Sequence, residues 1–181
     1  MLKNSKNRYG LIAIALHWVS VLFVFGLFAA GWYMVELNYY SEWYRIVPHW
    51  HKSIGLLFAL LIVLRIAWKC INPSPTPVGS NIERKVAGVA HFSLYALMIL
   101  IFISGYLIST ADGRGISVFN WFTVPSFGEF VENQEDVAGL VHEYLAYSLI
   151  GLVSLHAIAA LKHHFIDKDD VLRRMLQLKE R

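Results

Sequence analysis

Residues 141–164 read VHEYLAYSLIGLVSLHAIAALKHH, and from Tyr144 to Leu161 they contain no Asp, Glu, Lys or Arg. With its flanks this run reaches the roughly 20 apolar residues that an α-helix needs to cross the hydrocarbon of a bilayer. Two histidines bracket it. His142 and His156 stand 14 positions apart. At about 100° per residue that spacing falls about 40° short of four full turns, so both rings project from one helix face, about 21 Å apart along the axis. An ionisable side chain inside a membrane helix is costly to bury without a partner, which makes both residues functional candidates.

Three further stretches read the same way. Tyr9 to Val35 and Val86 to Ala111 are free of Asp, Glu, Lys and Arg, and Ser53 to Leu64 is an apolar centre bracketed by Lys52 and Arg65. The long side chains of those two cations can reach toward the interfaces. The expected architecture is all-α, a four-helix transmembrane bundle forming one membrane domain over residues 1–181, with helices at about 9–35, 49–68, 86–111 and 139–163. The uncharged N-terminal run is too long for a signal-peptide h-region and no clear A-x-A site follows it, so it reads as a retained helix. Asn72–Pro77, Asn-Pro-Ser-Pro-Thr-Pro, is a loop. The tail 169–181 alternates apolar and basic residues, as a short amphipathic helix on the membrane surface does.

Composition agrees with a membrane setting. The chain is 56% hydrophobic and 16% charged, with a mean hydropathy of +0.48 and 14% aromatic residues; soluble domains carry about 25% charged residues. Its net charge of +3 does not mark a nucleic-acid binder, because the basic residues flank apolar segments instead of forming one patch. The single Cys70 excludes an intrachain disulfide and an iron–sulfur cluster and reads as a packing residue.

Four spans put both termini on one side. That side, with the loop after the second helix, collects thirteen Lys and Arg against five acidic residues, whereas the other has three against eight. The positive-inside rule therefore predicts cytoplasmic termini. On the outer side Arg45, Lys52 and Arg114 are the only cations available to form a basic entrance, over loops that are otherwise acidic.

Five of the eight histidines lie within or at the ends of the apolar segments: His17, His51, His91, His142 and His156. Each alone could be a hydrogen-bonded packing residue, and His49, His163 and His164 could equally be interfacial. Depth argues otherwise for four of them. His17 and His156 fall in the cytoplasmic half, while His51 and His142 fall at the outer ends of their helices. Two pairs at two levels, drawn from three helices, suit two six-coordinate haems, since haem iron takes axial imidazoles from facing helices of a bundle. His91 has no partner left at its depth and is expected to be dispensable for haem binding. Gly26, Gly31, Gly55, Gly105 and Gly151 would permit close approach of a macrocycle or a helix.

The segments Leu16-His17-Trp18, His51-Lys52-Ser53-Ile54-Gly55, His142-Glu143, Leu155-His156-Ala157, Lys162-His163-His164 and Asp167–Met175 resemble the bacterial cytochrome b561 family. The likeness covers nearly the whole chain. It implies a four-helix cytochrome of the inner membrane holding two haem b, with His17, His51, His142 and His156 as iron ligands. It also implies electron transfer from superoxide, or another small periplasmic donor, to ubiquinone, with a quinone site near His163. His163 lies about 20° off the His156 face, while His164 is about 80° round the helix. An alternative function is a cytochrome subunit that anchors a periplasmic dehydrogenase or hydrogenase. A carrier binding zinc or copper through the same histidines is a more distant reading, and it predicts a colourless protein.

Overall fold

The computed structural model describes residues 1–176. Four long helices form the protein: α1 (Leu11–Val35), α2 (Ile46–Ile71), α3 (Asn81–Thr110) and α4 (Gln134–Lys162), and each is long and apolar enough to cross a membrane. Their outward faces carry exposed Leu22, Leu60, Val63, Phe92, Ile103 and Leu155, a surface suited to lipid and not to water. Trp32, Tyr33, Tyr40, Trp43, Trp50 and Trp121 are exposed near the end opposite the termini, where amphipathic rings settle at headgroup level.

Helices α2, α3 and α4 run past the charge-free segments because local chemistry, not charge, sets their ends. The N-terminus of α3 moves out to Asn81 because Ser80 and Glu83 form a reciprocal capping box: the Glu83 N–H donates to Ser80 Oγ at 3.3 Å and the Ser80 N–H to Glu83 Oε2 at 2.8 Å. Helix α4 starts at Gln134, after Asn133 in the left-handed region. The buried Gln134 amide donates to the Leu107 carbonyl at 2.9 Å and accepts the Phe130 N–H at 2.8 Å. Glu135 and Asp136 then occupy the first turn, where the helix dipole favours anions. Pro48 is accommodated near the start of α2, where its missing N–H disrupts no helical bond.

The connection between α3 and α4 contains an antiparallel hairpin, β1 (Ile116–Val118) and β2 (Phe122–Val124). Strands of three residues bounded by turn residues give little periodic signal. The hairpin docks on α2: Ser53 Oγ accepts the Phe119 N–H at 3.1 Å, and the Phe119 ring meets Trp50 edge-on at 5.7 Å. After α4 the chain continues as a π-helical turn, His163–Asp167, and a short helix α5, Val171–Leu176. Trp18 Nε1 donates to the Met175 carbonyl at 3.0 Å and Arg174 to the Thr76 carbonyl at 3.0 Å, tying α5 to α1 and to the proline-rich loop. The rest of the amphipathic tail, 177–181, lies outside the described residues.

Close packing is concentrated within two helical pairs, α1 with α2 and α3 with α4. The buried cluster of Val24, Phe58, Ile62, Met98 and Leu149 joins the pairs. It occupies the mid-depth of the bundle, because Leu149 lies midway along α4 between His142 and His156. The two histidine levels lie above and below that plug.

Candidate functional site

The bundle brings the predicted histidines together as two groups at two depths. At the outer level His51 of α2 faces His142 of α4, with ring centroids 6.3 Å apart and planes inclined at 72°. At the inner level His17 of α1 faces His156 of α4 at 6.4 Å and 62°. Two imidazoles bound to opposite sides of one metal, each through a bond of about 2 Å, have ring centres about 6 Å apart. Both separations match that value, and they are too long for direct hydrogen bonding between the ring nitrogens of a packed pair.

Each outer imidazole is backed by a glycine. A Cβ added to Gly31 of α1 would stand 3.4 Å from His51 Cε1, and one on Gly105 of α3 would stand 3.1 Å from His142 Cε1. The other three glycines noted in the sequence, Gly26, Gly55 and Gly151, face open space. His142 Nδ1 lies 3.1 Å from the Ile101 carbonyl and 3.0 Å from Ser104 Oγ. Ser104 Oγ itself donates to the same carbonyl at 3.0 Å. The carbonyl can only accept, so the proton sits on His142 Nδ1, and Nε2 keeps the lone pair that a metal uses. His51 Nδ1 is buried without a hydrogen-bond partner, a cost that a ring held only for packing would not need to bear.

A methyl at Gly105 must push the His142 ring or part α3 from α4. If the His142 ring holds a metal, Gly105→Ala is therefore expected to weaken that ligation and to leave the inner level unchanged. Separate absorption or paramagnetic resonance signals of the two centres would check this; equal effects on both would contradict it.

The inner level also holds His91, which the sequence reading placed at this depth and left without a partner. The His91 ring of α3 lies 5.3 Å from His156, closer than His17 does. Tight packing of α3 against α4 brings the two rings into edge contact. This separation is shorter than two rings on one metal require, so the geometry favours His17 as the opposing ligand. Arg65 of α2 also reaches this level, with Nη2 2.9 Å from His17 Nδ1.

Below the inner level, His163 opens the π turn. Its Nδ1 meets the Asp169 carboxylate at 2.6 Å and that of Asp167 at 3.1 Å. A Cβ on Gly79 of the α2–α3 loop would come within 3.5 Å of its Cε1. Beside it the Lys162 ammonium bridges Glu83 at 2.6 Å and Asp167 at 2.7 Å. Glu83, His163 and Asp167 have the spacing of a metal site, but the lysine already fills the position of the cation. The His164 ring packs edge-on against Phe165 at 4.8 Å, and its Nδ1 is buried without a hydrogen-bond partner among the described residues.

On the outer side the three cations do not act as one free group. Arg114 Nε donates to Asp112 at 2.7 Å, and the exposed Asp112 carboxyl is held below its usual range by that hydrogen bond. A pair this exposed is screened and leaves little net field. Lys52 and Arg45 remain as exposed cations.

Comparison with known proteins agrees with this arrangement. The family model for prokaryotic cytochrome b561 matches residues 8–177. The chain is 50% identical to cytochrome b561 homolog 2 of Escherichia coli K12, over 96% of this chain and 93% of that protein. It is 29% identical to cytochrome b561 homolog 1 of the same organism, over 94% and 97%. It is also 28% identical to a probable superoxide oxidase CybB of Yersinia pestis, over 96% and 98%. A multi-pass helical membrane protein with intramembrane histidines and this likeness along its whole length belongs to the prokaryotic cytochrome b561 family of membrane electron-transfer proteins.

Proposed function

We propose that this protein carries electrons across the bacterial inner membrane through two haem b groups, from a one-electron donor at the periplasmic face to ubiquinone near the cytoplasmic face. The observation that carries the reading is the pair of facing imidazoles at each of two levels, 6.3 and 6.4 Å between ring centroids. His51 and His142 hold the outer haem, and His17 and His156 the inner one. Haem supplies reversible one-electron chemistry at its iron. The protein supplies the rest: helices that fix the imidazoles, Ile101 and Ser104 that set the His142 tautomer, and an apolar plug that separates the two levels and excludes water. The charge split between the two faces supports cytoplasmic termini, with α5 and His163 on the inner side.

Superoxide is the candidate donor, from the likeness to a probable superoxide oxidase. Two superoxide anions lose one electron each to become dioxygen, and the two electrons with two protons convert one ubiquinone to ubiquinol. His163 sits where a quinone oxygen could meet a proton donor one to two turns below His156. Its Nδ1 faces carboxylates, which leaves Nε2 to face the substrate. One observation favours a second reading. The outer face is acidic and its Arg114 is neutralised, which suits docking of a periplasmic electron-donating protein better than capture of a small anion.

Oriented membrane vesicles separate these readings. With the periplasmic face outward, superoxide generated outside should reduce both b-type haems and form ubiquinol; with the face reversed it should reduce neither. Two haems that ignore superoxide but accept electrons from a periplasmic protein would favour the second reading, and a colourless protein would overturn both.

A further inference from the structure

Arg65 and Lys69 stand one turn apart at the cytoplasmic end of α2, and both pack over one ring. The guanidinium lies 5.8 Å and the ammonium 5.3 Å from the centre of Tyr95 on α3. Among the described residues no carboxylate pairs with either of them. Among the described residues the one hydrogen-bond partner of Arg65 is His17 Nδ1, at 2.9 Å. A half-buried arginine in a membrane helix, one turn from a lysine and with only a neutral ring to bond, lacks a counter-charge.

The His17 contact cannot persist once that ring binds a metal. A guanidinium has only donors, so Nδ1 must accept and the neutral ring carries its proton on Nε2. Ligation through Nε2 requires the opposite tautomer, with the proton on Nδ1 facing the Arg65 N–H. Two donors then oppose each other, and Arg65 must find another acceptor within reach of the same level.

We propose that Arg65 and Lys69 are the anchor for the carboxylate side chains of the inner haem. The proposal rests on the reading of His17 and His156 as its ligands. Haem b carries two carboxylates, and the two cations match them in number and charge. The arginine fork can take a carboxylate through two parallel N–H bonds, and Tyr95 holds both cations to one side of α2. The same assignment explains why a helix that spans the membrane tolerates a cation at position 65 on its inward side.

The test uses the full-length protein with its haems bound. Arg65→Gln and Lys69→Gln remove each charge, and Arg65→Lys restores it without the fork. In Arg65→Gln the inner haem should transfer to apomyoglobin about tenfold to a hundredfold faster, the range expected for losing a charge-assisted hydrogen bond. Its carboxylate bending band in the resonance Raman spectrum should shift, Arg65→Lys should recover part of both effects, and the outer haem should be unaffected. Unchanged carboxylate bands in both Gln variants would overturn the anchor even if the haem left faster. A wild-type protein without two b-type haems would instead overturn the ligand reading beneath it.

Discussion

On the proposed ligand set, replacing His142 by Ala is expected to abolish the outer haem and to leave the inner haem bound, with haem content falling from the proposed two per chain to one. His51→Ala should give the same result, because on that reading both rings would hold the same haem. His17→Ala and His156→Ala should mirror this at the inner level. The loss should be near complete, since a haem that would be held by two imidazoles would keep only one of them. The four variants are unequal in one respect. His142 is oriented by Ile101 and Ser104, whereas His51 Nδ1 has no partner. Ser104→Ala should therefore perturb only the outer centre, and mildly, because the Ile101 carbonyl remains. His91→Ala is the control: despite its contact with His156 at 5.3 Å, it should retain both haems. Reduced-minus-oxidised spectra and a pyridine haemochrome count measure all of these. Any ligand variant that keeps two low-spin haems removes that residue from the set.

The second large effect is expected at His163. With both haems bound, His163→Ala should slow oxidation of the inner haem by quinone at least about a hundredfold, the scale of a lost general acid. Reduction from the outer side should be unaltered. Asp169→Asn keeps a hydrogen-bond acceptor near His163 Nδ1 but removes the charge at 2.6 Å; it should give a smaller defect in the same step. His164→Ala should be close to wild type, because the carboxylates of Asp167 and Asp169 pair with His163 and the His164 ring packs on Phe165. Stopped-flow oxidation of the pre-reduced protein by a soluble quinone would read the step directly, and wild-type kinetics in His163→Ala would move the acceptor elsewhere.

Much of this was legible in the sequence because helix geometry is periodic. Apolar length alone identified four membrane helices, and the 14-residue spacing of His142 and His156 placed both on one face of α4. The family likeness lay in motifs that span nearly the whole chain. Helix ends were less legible: the start of α3 depends on the Ser80–Glu83 capping box, and the start of α4 on a glutamine that bonds to another helix. Counting charges marks where lipid could begin, not where the backbone stops turning.

What only the tertiary structure decided is how the helices are rotated and paired. The sequence could sort His17 with His156 by depth, but not exclude His91, because depth carries no information about which face of α3 meets α4. Packing of α3 on α4 set that rotation, and with it the contact of Gly105 with His142. The meeting of Arg65 with His17, and of both α2 cations with Tyr95, depends likewise on three separate helices converging. The turn that brings Asp169 back onto His163 departs from α-helical spacing altogether. Within a helix the chain's own hydrogen bonds fix where each residue points. Between helices that information resides in side-chain packing, which no single segment contains.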